Sequence, residues 1–198
     1  MHANSILIFE KYAKQYFRRN IKVLEIGPDK FPSSYKEIIN DNSIKWDTLD
    51  IFEDNRLTYN IKDEYSYPIA NNTYDIVLSG NVLEHVRKIW IWIKELTRVC
   101  KKGGVVITIN PLFLEYHPYP VDCWRAFPDG MRVLYDEAGL NTILSVSETL
   151  DVYNPKFTLG YLNSMSHKLK FIGRMLLKKL RFPIERIYVY DTITIGVK

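Results

Sequence analysis

Two places in the first third of the chain have the residue types and spacing to hold a nucleotide-like ligand. Val23-Leu24-Glu25-Ile26 is a short apolar run that stops at Gly27, with Pro28 and Asp29 behind it. A glycine directly after a buried strand lets a ligand approach the backbone, because no Cβ stands in the way. A plain turn reads the same way in isolation, and the two readings stand level. Asp50 closes a second strand-like run, Lys45 to Asp50. It lies about twenty positions beyond Gly27, the spacing at which an acid accepts hydrogen bonds from ribose hydroxyls in nucleotide-binding α/β folds. Taken alone, Asp50 is more simply a solvated strand-end aspartate. Together the two features favour an adenosine-type ligand.

The elements that must position these residues alternate. An amphipathic helix is expected from Asn4 to Arg19, with Ile6, Phe9, Ala13 and Phe17 at helical spacing. Strands are expected at Val23–Ile26, Lys45–Asp50, Leu57–Ile61, Asp75–Ser79, Val105–Ile109, Thr142–Thr149 and Ile187–Val197. Between them lie a short helix capped by Ser33, a long helix near Val82 to Lys102, and a helix opened by Pro128 and closed by Gly139. Lys101 and Lys102 suit the negative end of the long helix, and Gly103 its stop. Strand–helix alternation implies an α/β fold: a three-layer, doubly wound, mostly parallel seven-stranded sheet. Such a sheet binds its ligand outside the C-terminal strand ends, where strand order reverses.

The 198 residues suit one α/β domain spanning the whole chain. A formal charge of +4 is too mild to imply nucleic acid, and none is expected as a partner. No run has the length of a membrane span, and residues 1–20 lack the apolar centre of a signal peptide. Cys100 and Cys123 stand alone, without metal-ligand spacing, so a reduced cytoplasmic protein is expected and no metal site is assigned.

The block Tyr74-Asp75-Ile76-Val77-Leu78-Ser79-Gly80-Asn81-Val82-Leu83-Glu84-His85-Val86, followed by Leu96-Thr97-Arg98-Val99 and Lys102-Gly103-Gly104, resembles the fourth-strand region of class I methyltransferases, in particular the type 11 group. The segment His117 to Phe127 is similar to one found in a subset often associated with polysaccharide gene clusters. The resemblance implies S-adenosylmethionine as cofactor, with Glu25 and Gly27 at its methionine end and Asp50 on the ribose. It places Asn60 near the adenine amine, and Ser79, Gly80 and Asn81 beneath the sulfonium. The chain departs from the pattern where Pro28-Asp29-Lys30 replaces the second and third glycines, and where Asn60 replaces the common aspartate.

His117 and Asp122 follow the fifth strand, where an acceptor would meet this cofactor. A histidine near its ordinary pKa takes a proton from a hydroxyl as the methyl arrives. Equally, the two pin the loop, with Asp122 pairing to Arg125. Tyr116, Tyr119 and Trp124 are an acceptor wall or plain packing. His85 is read as structural.

His167 to Arg186 interleaves Lys and Arg with apolar residues, as a basic helical insertion near residues 160–186. It is read first as a packed helix with a solvated basic face, and second as a peripheral contact with an anionic membrane. The expectation is O-methylation of a small or glycan acceptor, in the setting of surface polysaccharide synthesis. A non-catalytic binding domain of the same fold is the alternative. A nicotinamide oxidoreductase is disfavoured, because no further glycine follows Gly27 to seat a pyrophosphate.

Overall fold

The computed structural model describes residues 2–150 and 190–198. The basic segment 167–186, and with it the expected insertion, lies outside the described residues.

The expected sheet is present. Its strands are β1 (Lys22–Ile26), β2 (Lys45–Asp50), β3 (Tyr59–Asn60), β4 (Tyr74–Gly80), β5 (Cys100–Phe113), β6 (Asn141–Glu148) and β7 (Tyr190–Val197). They lie in the order β3-β2-β1-β4-β5-β7-β6. β1, β2, β3, β4 and β5 pair in parallel, while β7 runs antiparallel to both β5 and β6. Strand order reverses between β1 and β4, where Ile26 pairs with Leu49 on one side and Ser79 on the other. Among the described residues, the regular helices α2 (Ser34–Ile39), α3 (Ile89–Val99) and α4 (Pro128–Glu137), with an N-terminal helical stretch, cover the two faces. α1 (Ala3–Ile8) continues through a wider π turn, Phe9–Ala13, and a tighter 3-10 turn, Lys14–Tyr16. It packs Ile8 and Phe9 with Tyr35 of α2 (Ser34–Ile39) against Val23, Leu78 and Ile107. On the opposite face, α3 (Ile89–Val99) and α4 (Pro128–Glu137) pack Ile93, Leu96, Met131 and Tyr135 against Leu24, Val77 and Val106.

The alternation of side chains along each strand produces these layers: Leu24 and Ile26 face one core, Val23 the other. Ser33 caps α2 by accepting from the Lys36 N–H at 3.2 Å, as expected. Full burial of large side chains such as Trp92, Tyr135 and Phe9 stabilises each layer by about 1.5–3 kcal/mol apiece.

The long helix is the main correction. It does not start at Val82, because Asn81 has φ +57 and Val82 is non-helical. A 3-10 turn, Leu83–His85, comes first, and α3 begins only at Ile89. It also ends earlier, at Val99. Lys101 and Lys102 belong to β5, and Lys101 Nζ pairs with Asp75 at 2.8 Å. Gly103, with φ +73, therefore turns within β5 and donates to the Lys198 carbonyl at 2.7 Å. β3 shrinks from the expected Leu57–Ile61 to Tyr59–Asn60 at the sheet edge.

Candidate functional site

A cavity of about 230 Å³ opens at the C-terminal ends of β1, β2 and β4, at the point of strand reversal. Gly27, Asp50, Phe52, Asn81 and His85 line it, with Ile61, Tyr67 and Trp92 among its apolar residues. Ligands of open α/β sheets bind at such a point.

Gly27 sits here because β1 ends in a left-handed turn, φ +68, fixed by its N–H donating to the Leu49 carbonyl at 2.9 Å. A Cβ on Gly27 would stand 2.4 Å from Val82 Cγ2. Asp50 is positioned by the end of β2, and its Oδ1 accepts the Phe52 N–H at 3.0 Å. Burial raises its pKa above the ordinary carboxylate value, against hydrogen bonds from the Phe52 and Ile51 backbone. Phe52 stacks on Tyr119, with ring centroids 5.6 Å apart and planes 6° from parallel. A carboxylate beside a patch of Ile51, Phe52, Ile61 and Trp92 suits a ribose with an adenine ring. On this chemistry the residues fit the adenosine part of S-adenosylmethionine.

Of the residues read from sequence, Gly27, Asp50 and Asn81 line the cavity. Glu25, Asn60, Ser79 and Gly80 are not in its wall. Glu25 faces the α1–α2 layer, 1% exposed, where its Oε2 accepts from Ser33 Oγ at 2.5 Å and Trp46 Nε1 at 2.7 Å. Burial pushes its pKa up to about 7, against those two hydrogen bonds, and among the described residues its Oε1 has no hydrogen-bond partner. Asn60 is turned away from the cavity: its Nδ2 donates to the Phe52 carbonyl at 2.8 Å and clips the β2–β3 connection. Ser79 is buried in the sheet. Gly80 makes room for the Tyr35 ring, since a Cβ there would meet Tyr35 Oη at 2.3 Å.

The loop after β5 folds over the cavity and brings His117 near His85, with ring centroids 5.1 Å apart. His85 Nδ1 lies 2.5 Å from the Val121 carbonyl, and His117 Nδ1 lies 3.0 Å from the Glu115 carbonyl. Carbonyls only accept, so each neutral ring carries its proton on Nδ1 and keeps its Nε2 lone pair. Glu84 is 1% exposed, and among the described residues its carboxylate oxygens have no hydrogen-bond partner beyond its own backbone N–H. Burial pushes its pKa up to about 8, against its own backbone N–H and the charge of Arg125. The donor atoms of Glu84, His85 and His117 all lie within 4.8 Å of one another.

Asp122 makes the Arg125 pair that one of its two sequence readings expects. It is ion-paired to Arg125 and accepts the His117 backbone N–H at 2.9 Å. The Arg125 guanidinium holds its carboxyl well below the usual carboxylate range. Tyr119 lines the cavity, Trp124 Nε1 donates to the Val86 carbonyl at 2.8 Å, and Tyr116 is exposed. Sequence reasoning missed Phe52, Tyr67 and Trp92, and met Ile61 only beside Asn60. Only the short Asp50-Ile51-Phe52 run signalled any of them, by placing apolar residues beside the strand-end acid.

Comparison with known proteins agrees with this geometry. A family model described as a methyltransferase domain, type 11, matches residues 38–108. A protein of Mycobacteroides abscessus described as an uncharacterized methyltransferase is 42% identical over 62 residues, which span 31% of this chain and 24% of that one. Among solved structures, a SAM-dependent methyltransferase from Archaeoglobus fulgidus is 15% identical, with 98% of this chain and 92% of that one covered and a TM-score of 0.63. The Haemonchus contortus phosphoethanolamine N-methyltransferase 2, solved with S-adenosyl-L-methionine, is 13% identical, covering 98% of this chain and 52% of that one, also at 0.63. The [4+2]-cyclase SpnF is 12% identical at the same score, covering 98% and 79%. Residues 38–108 thus match a methyltransferase-domain model, and the chain shares the fold of these solved structures.

Proposed function

We propose that the chain transfers a methyl group from S-adenosylmethionine to a hydroxyl of a small or glycan acceptor. The observation that carries this reading is the cavity at the strand reversal, with Gly27 at its backbone wall and Asp50 at its polar end. The same fold serves a cyclase, so the reaction must be argued from the site.

When bound, S-adenosylmethionine supplies an electrophilic methyl group on a sulfonium. The chain's residues do the rest. Asp50 accepts from the ribose hydroxyls, Ile61 and Trp92 enclose the adenine, and the open backbone at Gly27 admits the ligand past the end of β1. The loop from Tyr116 to Arg125 closes the acceptor side and keeps the reacting atoms aligned, which is the main demand of such a transfer. The hydroxyl's proton is handled by the cluster of Glu84, His85 and His117, next to the cavity wall. The oxygen preference rests on this cluster. The glycan preference rests on the resemblance of His117 to Phe127 to methyltransferases associated with polysaccharide gene clusters.

Pro28-Asp29-Lys30, in place of two glycines, favours a second reading in which the domain binds this ligand without turnover. Calorimetry with S-adenosylmethionine and S-adenosylhomocysteine tests binding. Release of labelled S-adenosylhomocysteine in the presence of hydroxylated acceptors tests turnover. Stoichiometric binding with product release supports the proposal. Binding without release supports the second reading, and the absence of binding overturns both.

A further inference from the structure

Glu84 presents a problem that hydrogen bonding does not solve. Its side chain is 1% exposed, yet among the described residues its carboxylate oxygens have no hydrogen-bond partner beyond the residue's own backbone N–H. Burying such a group alone costs several kcal/mol, and buried carboxylates are ordinarily paired or coordinate a cation. The nearby Arg125 guanidinium is already engaged by both oxygens of Asp122. What Glu84 does have close by is a pair of imidazoles, with His85 Nε2 at 3.9 Å from its Oε1 and His117 completing a set whose donor atoms lie within 4.8 Å of one another.

We propose that Glu84, His85 and His117 form a binding site for one first-row transition dication at the acceptor side of the cavity. Two imidazoles and one carboxylate are a nitrogen–oxygen donor set, suited to zinc, cobalt, manganese or iron rather than to magnesium or calcium, which prefer oxygen alone. The Val121 and Glu115 carbonyls hold the Nδ1 protons of His85 and His117, leaving the Nε2 lone pairs for a metal. Outer partners of this kind orient metal-bound histidines generally. Ligand atoms about 2 Å from a common ion stand about 3–4 Å apart. Closing the set therefore needs a shift of about an ångström. His117 supplies it, because its side chain is 38% exposed on a surface loop. Three protein ligands leave positions open, and His85 also lines the cavity, so an acceptor hydroxyl can take an open position beside the bound cofactor, where the ion's charge promotes release of its proton to solvent in place of transfer to a free imidazole. That last role rests on the methyl-transfer reading; metal binding itself does not.

The test is titration of the metal-stripped full-length protein with zinc chloride by calorimetry, without S-adenosylmethionine. Cobalt chloride is followed by its visible absorption, and magnesium chloride is compared. One zinc or cobalt ion per chain, with magnesium at least tenfold weaker, is expected. Glu84→Gln and His117→Ala should each weaken zinc at least tenfold while circular dichroism stays unchanged. Absence of stoichiometric uptake overturns the proposal, as does uptake left undiminished by both substitutions. Cofactor calorimetry on the same sample separates the two ideas. Zinc uptake without cofactor binding sinks only the methyl-transfer reading, and cofactor binding without zinc uptake sinks only this one.

Discussion

Gly27 and Asp50 carry the cofactor assignment, and they make different predictions. Asp50→Ala removes the acceptor proposed for the ribose hydroxyls. Hydrogen bonds to a charged group contribute about 1.5–3 kcal/mol, so calorimetry should show at least tenfold weaker binding of S-adenosylmethionine. Equal affinity in wild type and variant would place the ribose elsewhere. Gly27→Val should be worse in two ways, losing both stability and binding. It puts a branched side chain at φ +68, and its Cβ would stand 2.4 Å from Val82 Cγ2. A Tm unchanged from wild type would remove the case for close packing at this turn. Both residues were readable in the sequence because strand-end position is set by local pattern. Asn60, Ser79 and Gly80 lie at the same edge of the sheet, at the ends of β3 and β4, but their orientation was not readable. Whether a side chain points to the cavity or into a layer depends on tertiary partners such as the Phe52 carbonyl and the Tyr35 ring.

The loop after β5 shows what a sequence pattern can and cannot say about an element. Its position over the site followed from strand order, and the Asp122–Arg125 pairing was one of two readings. The contact of His117 with Glu84 and His85 could not be read, since those residues belong to different elements and meet only because the loop folds back. The expected long helix hid this as well: a regular helix from Val82 would have turned His85 elsewhere, whereas the 3-10 turn after Asn81 sets it at the cavity. Arg125→Ala leaves Asp122, its side chain 2% exposed, without its guanidinium partner and with only the His117 contacts. Breaking a buried pair costs about 3–5 kcal/mol, and the lower end applies because Arg125 keeps a quarter of its surface in water. Urea unfolding should read that loss, and hydrogen exchange should localise it to the loop. The paired carboxyl is held below its unfolded pKa. Its stabilisation is therefore present above the unfolded value and lost as pH falls through the folded one. The wild-type advantage over Arg125→Ala should vanish in acid; an advantage constant with pH would mean that the pair is not its source.

In the molecule as a whole, the sheet was readable because buried parallel strands are short apolar runs separated by helical periodicity. The polar seams that join distant parts were not. Asp191 in β7 accepts from Asn4 Nδ2 at 2.7 Å, and Glu148 in β6 pairs with Lys11 at 2.7 Å, so the N-terminal helical stretch closes the last two strands. Glu25 lies in the layer that this stretch covers. Its folded pKa of about 7 exceeds the ordinary value of 4.5 because burial disfavours the charged form. The folded state thus holds its proton over a range in which the unfolded chain has released it. This contribution is fully present below the ordinary value and is lost as pH rises through about 7. The rise in pKa corresponds to on the order of 3 kcal/mol. Glu84, raised to about 8 by burial, adds a loss of the same sign slightly further up. Glu25→Gln keeps an acceptor for Ser33 and Trp46 but removes the titration. Urea unfolding from pH 5 to pH 8 should show wild-type stability falling with pH and the Gln variant falling distinctly less, the two curves separating as pH approaches 7. Parallel curves would mean that Glu25 is ionised at its ordinary pKa in the folded protein, with Ser33 and Trp46 fully compensating its burial.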